Sequence, residues 1–241
     1  MILFTCDIDW APEEVIQDTI DFFSSYQVSL TLFATHDSKV LQKADTSLFE
    51  IGIHPNFNPL LQNKVENPQT SSPDIISELL LIYPQAKGVR SHSMTQSTIL
   101  LDQFKNAGLL YDANHFLPYQ SVVPYTLWNG LFRIPYNWED DIHWEYGYDF
   151  EPGFILNSSN IQLWILDFHP IHLFINTKSA KQYAEAKAFY QQPAELMKHR
   201  NIESKGVRTF IKEVLDHLTN TGQSALTISE FIHQNPFRSR T

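Results

Sequence analysis

The chain has 241 residues, 43% of them hydrophobic and 18% charged, which is too apolar for disorder and long enough to bury a sizeable core. Seventeen basic residues against 27 acidic ones leave a formal net charge of −10, which argues against nucleic acid or an anionic membrane surface as a partner. One cysteine, Cys6, excludes an internal disulfide framework, a thiol-rich zinc site and a dithiol redox motif.

The start "MILFTC" runs straight into acids without a basic leader, and nowhere do about 18 apolar residues follow one another. The expectation is a cytoplasmic protein with no membrane span. In chain order, "ILFTCDID" reads as a strand and "PEEVIQDTIDFFSSY" as a helix opened by Pro12 and two glutamates. Strand "VSLTLFATH", helix "DSKVLQKA", strand "FEIGIHP", helix "IISELLLIY", strand "GVRSHS", helix "TILLDQFKNAG" and strand "LLYDANHF" follow. The middle, from "LPYQSVV" to "EYGYDF", is rich in aromatics, Pro and Asn and lacks a helical period, so it reads as long loops with short strands over a site. Beyond it come a strong buried strand "IQLWILDFHP", helices "SAKQYAEAKAFY" and "KGVRTFIKEVLDHLTNTG", and "ALTISEFI" as a strand running into a last helical turn. Strand and helix alternate throughout without a repeat or linker, which predicts a parallel sheet covered by helices in one domain spanning 1–241.

The chemistry is carried by polar residues where strands end: Asp7 and Asp9, His54, Arg90 and His92, Asp112, and His169. Active sites of parallel α/β barrels gather at the C-terminal strand ends, so five such ends imply convergence. A lone strand-end His is as often a satisfied structural residue as a ligand. Residues two apart on a strand share a face, so Asp7 and Asp9 are expected to project together, and such a pair either repels itself or shares a cation. Histidines and carboxylates without cysteines suit a divalent metal with hydrolytic chemistry, zinc first among the candidates. One acid of the pair could then bind the cation while the other takes a proton from water.

At these residues the sequence resembles the NodB-type polysaccharide deacetylases, carbohydrate esterase family 4, from "ILFTCDID" to "ALTISEFI". The resemblance implies a distorted (β/α) barrel of about seven parallel strands and a metal-dependent hydrolase that removes an N-acetyl group from an amino sugar or polysaccharide precursor. "TCDID" looks like the family's first motif, with Asp7 the base and Asp9 a metal ligand. "EIGIHPNFN" gives His54 at the first place of the second motif but Asn58 where a second histidine is usual. "GVRSHS" gives Arg90, which orients the base, and His92, which is expected to supply the missing imidazole while Asn58 contacts substrate or supports the ligands from behind. "FRIPYNWEDD" resembles the loop that flanks the sugar, placing Trp138 in the substrate wall and Asp140 or Asp141 in an ion pair with Arg90. "LWILDFHP" presents His169 as the general acid, and Asp112 reads as structural. "HPNF", "VRSHS", "WEDD" and "DFHPIH" together look most like an atypical branch found in O-antigen biosynthesis. The Asn58 departure leaves a second reading open, a carbohydrate-binding barrel that has lost full metal ligation and catalysis. A third is a hydrolase of another linear amide.

Overall fold

The computed structural model describes residues 1–65 and 67–235. Among the described residues nine strands form one sheet: β1 (Ile2–Asp7), β2 (Leu30–Ala34), β3 (Phe49–Ile53), β4 (Gly88–Val89), β5 (Tyr111–Asp112), β6 (Tyr125–Thr126), β7 (Phe132–Arg133), β8 (Trp138–Glu139) and β9 (Trp164–Phe168). Their order is β6-β7-β5-β4-β3-β2-β1-β9-β8, and every pairing is parallel except β6 with β7. β1, β2 and β9 are buried along their whole length, which is why they read as near-continuous apolar runs rather than alternating ones.

The sequence implied about seven parallel strands, and the difference lies in one stretch of chain. β7 and β8 both belong to the run 132–139. Ile134 N–H donates to Asp112 C=O, Tyr136 N–H to His115 C=O, and Asn137 N–H to Ile165 C=O. That run therefore passes from the β5 edge to the β9 edge and brings the two ends of the curled sheet together. With β7 and β8 taken as one strand and the antiparallel β6 set aside, the nine reduce to the seven of a distorted (β/α) barrel of the NodB type.

Helices cover the sheet where the sequence places apolar residues at helical spacing. Glu13–Tyr26 turns Val15, Ile16, Ile20 and Phe23 inward, with Phe23 stacked on Phe168 at 5.5 Å and edge-on to Phe4 at 5.3 Å. Each such side chain, fully buried, contributes about 1.5–3 kcal/mol. Val207–Thr221 buries Phe210, Ile211, Val214, Leu215 and Leu218 and stops at Gly222, whose φ of 66° suits the left-handed helix end.

Three of the strands read from the sequence differ in the structure. "GVRSHS" and "LLYDANHF" pair as strands over only two residues each, Gly88–Val89 and Tyr111–Asp112, although Arg90 and Ala113 N–H still donate across to Ile53 and Val89. The closing segment forms no strand: Ile228–Gln234 is helical from its first residue. Thr227 Oγ1 accepts from Glu230 N–H at 3.2 Å and Glu230 Oε2 accepts from Thr227 N–H at 2.8 Å, a capping box legible in "TISE".

Candidate active site

The polar strand ends converge above β1, β3, β4 and β9. β1 ends at Asp7, and Asp9 and Trp10 take left-handed backbone with φ of 38° and 57°. Asp9 therefore reaches the site through a strained turn rather than through strand alternation with Asp7. Ser93 and Met94 are left-handed as well, just past His92, so both loops that deliver the acid and the imidazole carry this cost.

His54, buried at the end of β3, faces one acid with each ring nitrogen. Its Nδ1 is 3.6 Å from Asp7 Oδ2 and its Nε2 is 3.3 Å from Asp9 Oδ1. His92 Nδ1 closes the group at 3.2 Å from Asp9 Oδ1 and 3.4 Å from His54 Nε2. Asp9, His54 and His92 thus turn one donor atom each to a common point, all within 4.8 Å of one another. Two imidazole nitrogens and a carboxylate oxygen facing inward fit a divalent cation such as zinc by donor type. Burial opposes the Asp9 charge, but hydrogen bonds from His54 and His92 and the nearby His169 charge outweigh it and hold the carboxyl well below the usual range. His92 is the imidazole brought to Asp9 and His54, while Asn58 Nδ2 donates to Ser93 Oγ at 3.0 Å.

Arg90 is buried beneath this group. Its Nη1 donates to Asp7 Oδ1 at 3.0 Å and to Asp167 Oδ1, its Nη2 to Thr5 Oγ1 at 3.1 Å, and its Nε to Ala113 C=O at 3.2 Å. The guanidinium lies over the rings of Tyr136 and Phe33 at 4.2 and 4.6 Å, which fixes its plane. Burial pushes the Asp167 carboxyl up to about 7 against the pull of Arg90, and the Asp7 charge adds to the rise. The expected ion pair of Arg90 with Asp140 or Asp141 is not formed, because Asp167 projects from β9 beside β1 and occupies that place. The signal for Asp167 was present: a lone carboxylate inside "WILDF", where every neighbour is apolar.

Asp140 serves His169 instead. It begins the helix Asp140–Glu145, an element within the supposed loops, and accepts from His169 N–H through Oδ2 at 2.8 Å while Oδ1 meets Nδ1 at 2.9 Å. The His169 Nε2 is left facing the site, 3.7 Å from Asp9 Oδ2. Burial lowers the His169 pKa, but the Asp140 charge and hydrogen bond, then Asp9, carry it well above its ordinary value. The buried His172 has its Nδ1 3.0 Å from Thr177 Oγ1; burial and then the His169 charge push its pKa well down, so it stays neutral.

Trp138 does not line this site. It is fully buried, stacked on Phe210 at 4.7 Å, with its Nε1 donating to His143 Nδ1 at 3.1 Å. A Trp in β8 points into the layer between sheet and helix, where it has no face to offer a ligand. The cavity beside Asp9 and His169, about 550 Å³, is walled instead by Trp10, Trp144, Tyr183 and Tyr190, and Asp141 lines it too. Asp112 is the buried partner of Arg133, at 2.6 Å.

A family model described as WbmS-like polysaccharide deacetylase matches residues 4–187. Among solved structures, a polysaccharide deacetylase described as involved in O-antigen biosynthesis, from Bordetella bronchiseptica, is 37% identical with a TM-score of 0.83, covering 90% of each chain. Two others share the fold at low identity. A family 4 carbohydrate esterase from Streptomyces lividans has a TM-score of 0.53 at 10% identity, over 94% of this chain and 92% of that one. A peptidoglycan deacetylase from Bacillus subtilis has a TM-score of 0.52 at 14% identity, over 97% and 90%. No curated protein sequence matches the chain.

Proposed function

The chain belongs to the WbmS-like polysaccharide deacetylases, and on that premise we propose that it is a metal-dependent hydrolase removing the N-acetyl group from an amino sugar in O-antigen or related surface-polysaccharide biosynthesis. One observation carries the reading: a carboxylate and an imidazole outside the Asp9–His54–His92 group both border it, Asp7 at 3.6 Å from His54 and His169 at 3.7 Å from Asp9, and on this reading they are the base and the acid. Those three residues would hold a divalent cation, zinc first, which when bound supplies polarisation of the acetamide carbonyl and a more acidic water.

The chain's own residues then divide the proton work. Arg90 holds Asp7 Oδ1, which leaves Oδ2 to accept the proton of the attacking water. Asp140 fixes the proton on His169 Nδ1 and stabilises the imidazolium, so that Nε2 can deliver a proton to the leaving amine. Water thereby adds to the acetyl carbon, the C–N bond breaks, and acetate and a free amine leave. Trp10 and Trp144 offer flat faces to a sugar ring. The unpaired, buried Cys6 supports a reducing compartment, and we place the reaction in the cytoplasm. The test is acetate release from N-acetylated amino-sugar substrates by purified, zinc-loaded protein. Release by the intact chain and none by Asp7→Asn or His169→Ala is the expected result; release undiminished in both variants overturns the reading.

A further inference from the structure

A second cavity, of about 860 Å³, lies apart from the catalytic group and within the usual size of ligand sites. It is built from the aromatic middle of the chain, an enrichment that the catalytic roles do not absorb. Tyr119 packs edge-on to Tyr148 at 5.2 Å and to Phe154 at 5.8 Å, and Phe154 meets Trp164 at 5.7 Å. Phe154 stacks on His143 at 5.7 Å and on Phe210 at 6.0 Å, yet it and Tyr148 keep 37% and 52% of their surface exposed, which leaves ring surface open to the cavity. Ser121, Asp149 and Asn160 line the same cavity and bring a hydroxyl, a carboxylate and an amide to it. Trp164 is otherwise buried, lines the same cavity, and has an Nε1–H without a partner.

This cavity is not an extension of the catalytic one. Trp164 opens β9 and His169 follows its end, about 16 Å further along the strand. The helix Asp140–Glu145 lies between the two, with His143 lining the aromatic cavity and Asp141 and Trp144 lining the catalytic one. Among the described lining residues Ile161 is the one aliphatic side chain, which is the wrong surface for an alkyl chain. Flat aromatic faces alternating with hydroxyl, carboxylate and amide groups match a pyranose ring, which has an apolar C–H face and a polar hydroxyl rim.

We propose that the cavity walled by Tyr148, Phe154 and Trp164 is a second saccharide site, which binds a sugar residue remote from the one being deacetylated. The ring lies on Tyr148 and Phe154, and its hydroxyls meet Asp149, Asn160 and the Trp164 N–H. The inference rests on the carbohydrate reading of the catalytic site but is tested separately from it.

The experiment is saturation-transfer NMR and affinity titration with N-acetylglucosamine, N-acetylgalactosamine and the tetrasaccharide of each, on the intact chain and on Tyr148→Ala, Phe154→Ala and Asp7→Asn. Expected are transfer from aromatic protons to sugar, affinity kept in Asp7→Asn, and a loss of roughly ten-fold in Tyr148→Ala and Phe154→Ala. Both aromatic variants should deacetylate the monosaccharides at the rate of the intact chain, while losing any preference for the tetrasaccharides. Tyr148 is exposed enough for its variant to fold if Phe154→Ala does not. Binding that is unchanged in both aromatic variants, or no saccharide binding beside capture of an apolar dye such as anilinonaphthalene sulfonate, overturns the inference. A failed Asp7→Asn test bears only on the catalytic reading.

Discussion

Asp140 grips His169 twice, through the backbone N–H at 2.8 Å and the ring Nδ1 at 2.9 Å, so the acid fixes both the position and the tautomer of the imidazole. The pair joins two elements far apart in sequence, the first turn of Asp140–Glu145 and the residue after β9. Its electrostatic consequence is a histidine that keeps its proton above the ordinary range.

Asp140→Asn removes the charge that raises His169 while keeping the shape of the site. The sign follows directly: with less stabilisation of the imidazolium, His169 gives up its proton at lower pH. The basic limb of the kcat profile, where the general acid is lost, should move down by at least about one pH unit. A full pH–rate profile of the two proteins checks this, and an unmoved basic limb sinks the assignment of His169 as the acid.

Asp7→Asn should reduce kcat by about 10²- to 10⁴-fold, the usual worth of a general base. Arg90 retains Asp167 and Thr5 in that variant, and Asp167 is freed of the Asp7 charge that pushes it up, so the thermal midpoint should fall less than in Asp167→Asn. Comparing kcat and melting temperature on one preparation separates loss of the base from loss of the fold.

How much of this was legible in the sequence depends on which force set each feature. The fold was legible because parallel strands buried on both faces announce themselves as apolar runs, and the helix Glu13–Tyr26 by spacing and its acidic start. The positions of Asp7, His54, Arg90, His92 and His169 followed from strand ends alone. Partner choice did not. Arg90 chose Asp167 over Asp140 because β9 lies beside β1 in the sheet, a long-range adjacency that no local pattern records. Asp9 reached His92 through a left-handed turn that a non-glycine residue rarely adopts. The helix Asp140–Glu145 is too short for a periodicity to emerge from its aromatic surroundings.

Asp167→Asn tests that long-range pairing. It leaves the Arg90 charge buried with Asp7 as its one remaining carboxylate among the described residues. Breaking a buried pair from one side costs about 3–5 kcal/mol, so urea unfolding should show a loss of that size in unfolding free energy at an unchanged m-value. A loss under about 1 kcal/mol, the level of an exposed pair, would mean that Asp167 does not anchor Arg90.

Removing metal should abolish activity, and restoring zinc should recover it. His92→Ala should bind the ion more than ten-fold more weakly, since even outer partners of metal ligands cost about 10- to 100-fold when lost. Asn58→Ala should keep the stoichiometry, because Asp9, His54 and His92 already supply three donor atoms and the Asn58 amide nitrogen is engaged with Ser93. Elemental analysis after dialysis reads both variants. Retained metal in His92→Ala together with loss in Asn58→Ala would reverse the two roles.

Trp138 and Trp144 give the sharpest contrast between core and site, since they lie six residues apart and face different surroundings. Trp138 is sealed against Phe210, so Trp138→Ala should cost about 3–5 kcal/mol of stability as a large core truncation. Trp138→Phe keeps the stack and forfeits only the bond to His143, about 0.5–1.5 kcal/mol, with KM unchanged. Trp144 lines the catalytic cavity and meets His172 edge-on at 4.5 Å, so Trp144→Ala should raise KM with a smaller effect on stability. Unfolding and steady-state kinetics on all three variants decide it. A raised KM in Trp138→Phe beside an unaltered one in Trp144→Ala would return the sugar to the wall that the sequence alone suggested.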